Sequence, residues 1–280
     1  MKVGKIINNN VISATDLDGT EVVIMGKGIG FQTKHDEEVK ENLIEKVFKM
    51  DNKNSTNRFT ELLKEMPSEH FEVSNEVIEY AKSILGKKLN QNIYITLTDH
   101  INFAIERYKQ GLLFENPLLW EVKKFYPTEY LIGEYAIALI ERKLQVKLQT
   151  DEAASVALHI VNAEYNTAMN ETMNLTLLIK DVIGIVRDFM NQELDEESLY
   201  YMRFMTHLKF LSQRMFAGET HECNKEDQLT QMVINLYEAE YHCSQKIGSY
   251  IKEKYGYAIS QEELSYLTLH IKRMEDSTNE

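Results

Sequence analysis

A chain of 280 residues with 43% hydrophobic and 27% charged side chains is too apolar to be disordered and long enough for two or three compact units. Its net charge of −13 lacks the basic footprint usual for a nucleic-acid binder, and no stretch approaches the roughly 20 apolar residues that span a bilayer. The charge is uneven, however: residues 1–34 carry a net +1 and the remainder about −14, so a near-neutral head and an acidic body are expected to have separate roles. The two cysteines, Cys223 and Cys243, form no disulfide framework and fit a reducing, cytoplasmic compartment. Met1–Asn8 has no apolar core of a secretory signal.

In chain order, residues 1–60 read as β-structure. Val3, Ile6 and Ile7 form an apolar run that stops at Asn8, Asn9 and Asn10, and Val11, Ile12 and Ala14 follow. Asp16-Leu17-Asp18-Gly19 is a turn with glycine available for a positive φ, Glu21–Met25 is a second β-branched run, and Gly26–Phe31 closes the series. Short runs separated by Asn, Asp and Gly predict a small antiparallel sheet of four strands within roughly 35 residues. So small a sheet cannot bury both faces by itself, and dimerisation is the expected remedy. The segment around Asp51–Asn57 has linker composition. Beyond it Val73, Val77, Ile78, Ala81, Ile84 and Leu85 recur three and four apart, with Gly86 as a stop. Such spacing continues to Met274, and with only 3 prolines long helices are permitted throughout. The fold class is therefore multidomain, with a small all-β, four-stranded antiparallel N-terminal domain and an all-α body.

That body contains an internal repeat. His100-Ile101-x-Phe103-x-x-x-Arg107-x-x-x-Gly111 matches His207-Leu208-x-Phe210-x-x-x-Arg214-x-x-x-Gly218. Asp151-Glu152 and Leu158-His159-Ile160 match Glu262-Glu263 and Leu269-His270-Ile271 in the same order. Two homologous helical-bundle domains follow, joined near residue 170, with His100 and His159 in one and His207 and His270 in the other. Any of these could be a core histidine satisfied by a neighbour. A neutral imidazole is also a nucleophile able to accept a phosphoryl group. Arg107 and Arg214 lie about two helical turns beyond their histidines, facing the same way, as phosphate partners or as packing.

Metal and catalytic readings find less support. His221-Glu222-Cys223 and His242-Cys243 match no common zinc spacing. There is no Gly-x-Ser-x-Gly elbow, no His-Glu-x-x-His and no phosphate-cradling loop before a helix, so neither an enzyme nor a cofactor is expected. In the head, Lys5 and Lys27 can contact phosphates, Asn8 and Asn10 can read base edges, and Phe31 can stack a base. The glycines around Lys27 allow close backbone approach. Asn-rich turns and a buried Phe also occur in sheets that bind nothing.

Asn8-Asn9-Asn10-Val11 followed by Met25-Gly26-Lys27-Gly28-Ile29-Gly30-Phe31-Gln32 resembles the RNA-binding head of the β-glucoside-operon transcriptional antiterminators of the BglG/LicT type. Ile93–His100, Ala157–Glu164 and Phe204–Leu211 extend the resemblance over nearly the whole chain in the same order. It implies a co-antiterminator RNA-binding domain over 1–57 and two regulation domains of the sugar phosphotransferase system over 65–170 and 171–277. It further implies a homodimer that holds an RNA hairpin in a nascent leader transcript, so that an overlapping terminator cannot form. By the same resemblance Lys5, Asn8, Asn10, Gly26, Lys27, Gly28 and Phe31 fall on RNA-contact positions. His100 and His159 fall on inhibitory positions phosphorylated through the sugar permease, and His207 and His270 on activating ones phosphorylated by the general phosphocarrier protein. Lys27 departs from members that carry Arg, replacing a bidentate contact by a point charge, and some members lack a histidine at the position of His270. A DNA-binding activator of the same helical type is the alternative, disfavoured by strand periodicity where a helix-turn-helix would be needed.

Overall fold

The computed structural model describes residues 1–50, 52–216 and 228–278. They form two compact units, residues 1–169 and 170–280. The first begins with strands β1 (Lys2–Asn8), β2 (Val11–Thr15), β3 (Glu21–Met25) and β4 (Lys46–Phe48), paired antiparallel in chain order. Asn9 and Asn10 form the turn between β1 and β2. Asp16 closes the next turn: its Oδ1 accepts from the N–H groups of Asp18 and Thr20 at 2.9 Å, and Gly19 takes φ +78°.

The fourth strand is not where the glycine-rich run suggested. Residues 26–31 fold into consecutive turns, with Ile29 N–H donating to Gly26 O at 3.1 Å and Phe31 N–H to Gly28 O at 3.0 Å. β4 instead pairs Phe48 with Val23 and Lys46 with Met25, after a long excursion that includes a 3₁₀ turn, Glu41–Leu43. The linker expectation also needs correcting. Asn52 caps helix α1 (Lys53–Glu65), its Oδ1 accepting from Ser55 N–H at 2.9 Å. Asn and Ser are loop residues and helix-capping residues alike, so composition pointed both ways. Asp51, in the same segment, lies outside the described residues.

Successive strand residues point to opposite faces, and this sheet is apolar on both. Ile12, Ala14, Val22 and Ile24 pack with Val3 and with Ile29 and Val39 of the excursion. Val11, Val23, Met25 and Phe48 face the helices. There Phe48 meets Phe59, Phe71 and Tyr94 edge-on at centroid distances of 5.4, 5.6 and 4.9 Å. A remedy for the second sheet face thus comes from helices of the same chain, so burial of that face does not by itself require a partner copy.

Beyond α1, the helical part of the first unit consists of α2 (Ser68–Leu85), α3 (Ile93–Lys109), α4 (Leu119–Phe125), α5 (Pro127–Leu144) and α6 (Thr150–Tyr165). α2 packs on α3 and α5, and α6 on α3 and α5. The second unit holds α7 (Met169–Met190), α8 (Leu199–Phe216), α9 (Gln228–Leu236), α10 (Glu238–Tyr255) and α11 (Gln261–Thr278). α11 lies against α8, α9 and α10. Asp181 of α7 takes Lys254 of α10 at 2.8 Å and also Tyr250. Phe204, Leu208, Ile247, Ile251, Leu267 and Ile271 are among its fully buried core.

Candidate functional site

The head residues gather around the β1–β2 turn. Asn8 Oδ1 accepts from Asn10 N–H at 2.9 Å, and its Nδ2 donates to Leu63 O of α1 at 3.2 Å. Asn10 Oδ1 accepts from Gly28 N–H at 2.9 Å, while Asn10 O accepts from Gly26 N–H at 2.9 Å. Both asparagines therefore spend their side-chain oxygens inside the protein, Asn8 closing the turn on itself and Asn10 stapling it to residues 26–31. Gly26 permits this because a Cβ there would lie 1.6 Å from Leu43 O, and Gly28 because its φ is +72°. The staple lifts Lys27 and Phe31 into solvent, Phe31 with 59% of its surface exposed. Lys5, exposed on β1, is set apart from the stapled turn and near enough to Glu61 of α1 to help lower that carboxyl, after the larger effect of Lys64.

Asn10, Gly26 and Lys27 also line a cleft of about 680 Å³ whose opposite wall is α2, with Glu72, Asn75, Glu76 and Glu79. Lys46 spans it, 2.6 Å from Glu79 and 2.7 Å from Asn75 Oδ1. Burial would raise the Glu79 carboxyl, but hydrogen bonds from Lys46, Tyr94 and Lys82 override it and hold the group at about 2. None of this network was singled out in the sequence, because its members come from β4, α2 and α3.

The four repeat histidines form two pairs. His100 of α3 and His159 of α6 have ring centroids 4.8 Å apart, and His207 of α8 and His270 of α11 are 5.0 Å apart, with an interplanar angle of 36° in each. One histidine of each pair lies beside a carboxylate from the first turn of α6 or α11, where the helix dipole favours negative charge. His100 Nε2 stands 3.2 Å from Glu152 Oε2, and His207 Nε2 stands 2.7 Å from Glu263 Oε1. Arg107 binds the other oxygen of Glu152, and Arg214 Nη2 binds Glu263 Oε2 at 2.9 Å. The Arg107 guanidinium also lies between the rings of Phe103 and Phe114, 4.7 and 4.5 Å from their centroids. The arginines do face their histidines, but through a glutamate. Glu152 and Glu263 were visible as repeat partners, yet their role was not, since α6 and α11 meet α3 and α8 only in the folded chain.

Burial raises both carboxyls, and the histidine and arginine beside each more than reverse that, leaving Glu152 and Glu263 below the ordinary carboxylate range. His159 is pushed well below the usual imidazole range by burial and then by His100. At His270 burial, His207, Arg273 and Arg203 lower the value to about 4, against a weaker upward pull from Glu263. A lowered folded-state value means that the unfolded chain binds more protons between the two values, so stability rises with pH there. Stability is expected to fall as pH drops from about 6.5 towards 4, with His270 contributing about 1–2 kcal/mol after allowance for solvent screening at a half-buried ring. Urea denaturation at stepped pH should show that slope, reduced in His270→Gln; identical slopes would contradict it.

Cys243 is buried, and burial pushes its thiol up to about 12, which suits packing rather than metal ligation. His242 is exposed and contacts Gln245 Oε1 at 3.0 Å. His221, Cys223 and Gly218 lie outside the described residues. Among the described residues no helix is long and apolar enough to cross a membrane.

A small β-domain followed in the chain by helical domains that each carry one histidine pair defines a class of modular regulators. Residues 1–57 match the CAT RNA binding domain, and residues 75–163 and 180–274 each match the PRD domain. The chain is 48% identical to transcription antiterminator LicT of Bacillus subtilis (strain 168), covering 98% of this chain and 99% of that one. It is 39% identical to the beta-glucoside operon antiterminator of Dickeya chrysanthemi, covering 100% and 99%. The crystal structure of GlcT CAT-PRDI aligns with TM-score 0.52 and 36% identity over 58% of this chain and 97% of that one. The chain belongs to the BglG/LicT family of transcription antiterminators.

Proposed function

We propose that this chain is an antiterminator that binds a hairpin in a nascent leader transcript as a homodimer, blocks an overlapping terminator, and is controlled by phosphorylation of its paired histidines. It acts in the cytoplasm, as a regulator rather than a catalyst. Lys5, Asn8, Asn10, Gly26, Lys27, Gly28 and Phe31 form the RNA surface. The observation that carries this reading is the staple from Asn10 to Gly28, in a hydrogen-bonded run of turns that leaves both Lys27 and Phe31 exposed. A base can stack on Phe31 while Lys27 meets a phosphate, and a second copy would double the weak positive field of one head. A DNA-reading helix-turn-helix has no counterpart among the described residues before α1.

His100 and His159 receive phosphate through a sugar permease and inhibit; His207 and His270 receive it from the general phosphocarrier and activate. The sugar is a β-glucoside, as the name of the Dickeya chrysanthemi relative suggests. A phosphoryl group brings about −1.5 to −2 charge, by analogy with phosphoserine. Placed on His100 it would compete with Glu152 for Arg107, so the ion pairs of α3 and α6 must rearrange. The reading is tested with the full chain and the leader hairpin adjacent to its own gene. Phe31→Ala should weaken binding by about 1–3 kcal/mol for each head that stacks a base. Lys27→Ala should lower the log-log salt slope by roughly 0.7–0.9 for each of the two heads on the hairpin. Wild-type affinity and salt slope in both variants would exclude this loop as the RNA surface.

A further inference from the structure

The two histidines of a pair do not present the same nitrogen. In His100 and His207 the Nε2 atom is sealed from solvent, and a glutamate oxygen stands beside it at 3.2 and 2.7 Å respectively, off the line of a hydrogen bond. Nδ1 of each ring is neither sealed nor hydrogen-bonded among the described residues. His159 is reversed: its Nδ1 is sealed and without a partner, while Nε2 is not sealed. A ring nitrogen facing a carboxylate must carry the proton, because two lone pairs in contact repel. Arg107 and Arg214 keep those carboxylates charged and aimed at the rings.

We propose that Glu152 and Glu263 are positioning residues that fix His100 and His207 in the Nε2–H tautomer, so that Nδ1 is the phosphoryl acceptor in both, whereas His159 accepts on Nε2. This deepens the reading that these histidines are phosphorylated and rests on it. The donor is a phosphohistidine on a carrier protein. The Nδ1 lone pair forms the new N–P bond, the donor's N–P bond breaks, and its electron pair returns to the donor ring. The Nε2 proton of His100 stays in place, and Glu152 offsets the positive charge that the ring acquires as it is phosphorylated. The carboxylate thus does for a phosphoryl acceptor what a buried carboxylate does for a catalytic imidazole: it selects the tautomer and holds the ring. Neither nitrogen of His270 is sealed, so its geometry selects neither.

The test uses the full chain labelled with ¹⁵N-histidine. Long-range proton–nitrogen spectra at neutral pH should show His100 and His207 as Nε2–H tautomers, with that preference lost in Glu152→Gln and Glu263→Gln and restored in Glu152→Asp. Potassium phosphoramidate, a donor that needs no carrier protein, should give Nδ1-phosphohistidine at His100 and His207 at early times and Nε2-phosphohistidine at His159, read by phosphorus NMR. Glu152→Gln should slow the His100 reaction on the order of tenfold while sparing His159. An Nδ1–H tautomer in the wild type, or Nε2-phosphohistidine as the first product at His100 and His207, would overturn the inference. Labelling by phosphoramidate at Nδ1, with none from the phosphocarrier or permease, would support it and instead sink the regulatory reading.

Discussion

Phe48→Ala should lower the stability of the first unit by about 3–5 kcal/mol, the range for emptying a large aromatic site in a packed core. Phe48 is fully buried and contacts Phe59 of α1, Phe71 of α2 and Tyr94 of α3. Each edge-on pair adds about 0.5–1.5 kcal/mol beyond burial, so the loss should sit at the upper end of that range. The site cannot collapse readily, because β4 has only three residues and pairs with β3 alone. The same change should loosen the Lys46–Glu79 contact two residues away, since Lys46 lies over the Phe48 and Tyr94 rings at 5.3 and 4.9 Å. Urea unfolding and amide exchange of β3 and β4 would measure both effects. A loss below about 1 kcal/mol would mean that the head is not held to the helices through this residue.

Arg107→Ala should cost a comparable amount, about 3–5 kcal/mol, because it strands the buried Glu152 carboxylate beside His100. Arg214→Ala should cost less, since the Arg214 side chain is 29% exposed against 17% for Arg107 and water can replace part of the lost contact. The sign of the pH response follows. Without Arg107 the Glu152 carboxyl moves up, so the defect should shrink as pH falls towards the value at which that group is neutral. Glu152→Gln in the same background should relieve part of the loss by removing the stranded charge. Denaturation of the single and double variants reads both statements, and simple additivity of the two substitutions would contradict the proposed ion-pair coupling.

Much of this architecture is legible from residue spacing. The strand runs at Val11–Ala14 and Val22–Met25, the helical period from Val73 onward and the duplicated His-x-x-Phe-x-x-x-Arg pattern are local or repeated signals, and the fold follows them. What escaped is non-local or short. Lys46–Phe48 holds too few residues to show alternation, whereas Gly26–Phe31 has strand-like residues but needs positive φ at Gly28. Asn52–Asn57 reads as linker because capping and loop residues share one chemistry. The meeting of His100 with His159, and of His100 with Glu152, joins residues more than fifty positions apart that no periodicity connects. The burial of the second sheet face by α1, α2 and α3 is of the same kind.

The most direct test of control by paired histidines is the affinity of the intact chain for its leader hairpin, measured before and after phosphate is placed on His207 and His270 by the general phosphocarrier. Affinity should rise at least about tenfold, a coupling of roughly 1.4 kcal/mol, and the gain should vanish when both histidines are replaced by alanine. Equal affinity in the two forms, with phosphate verified on those rings, would contradict the mechanism.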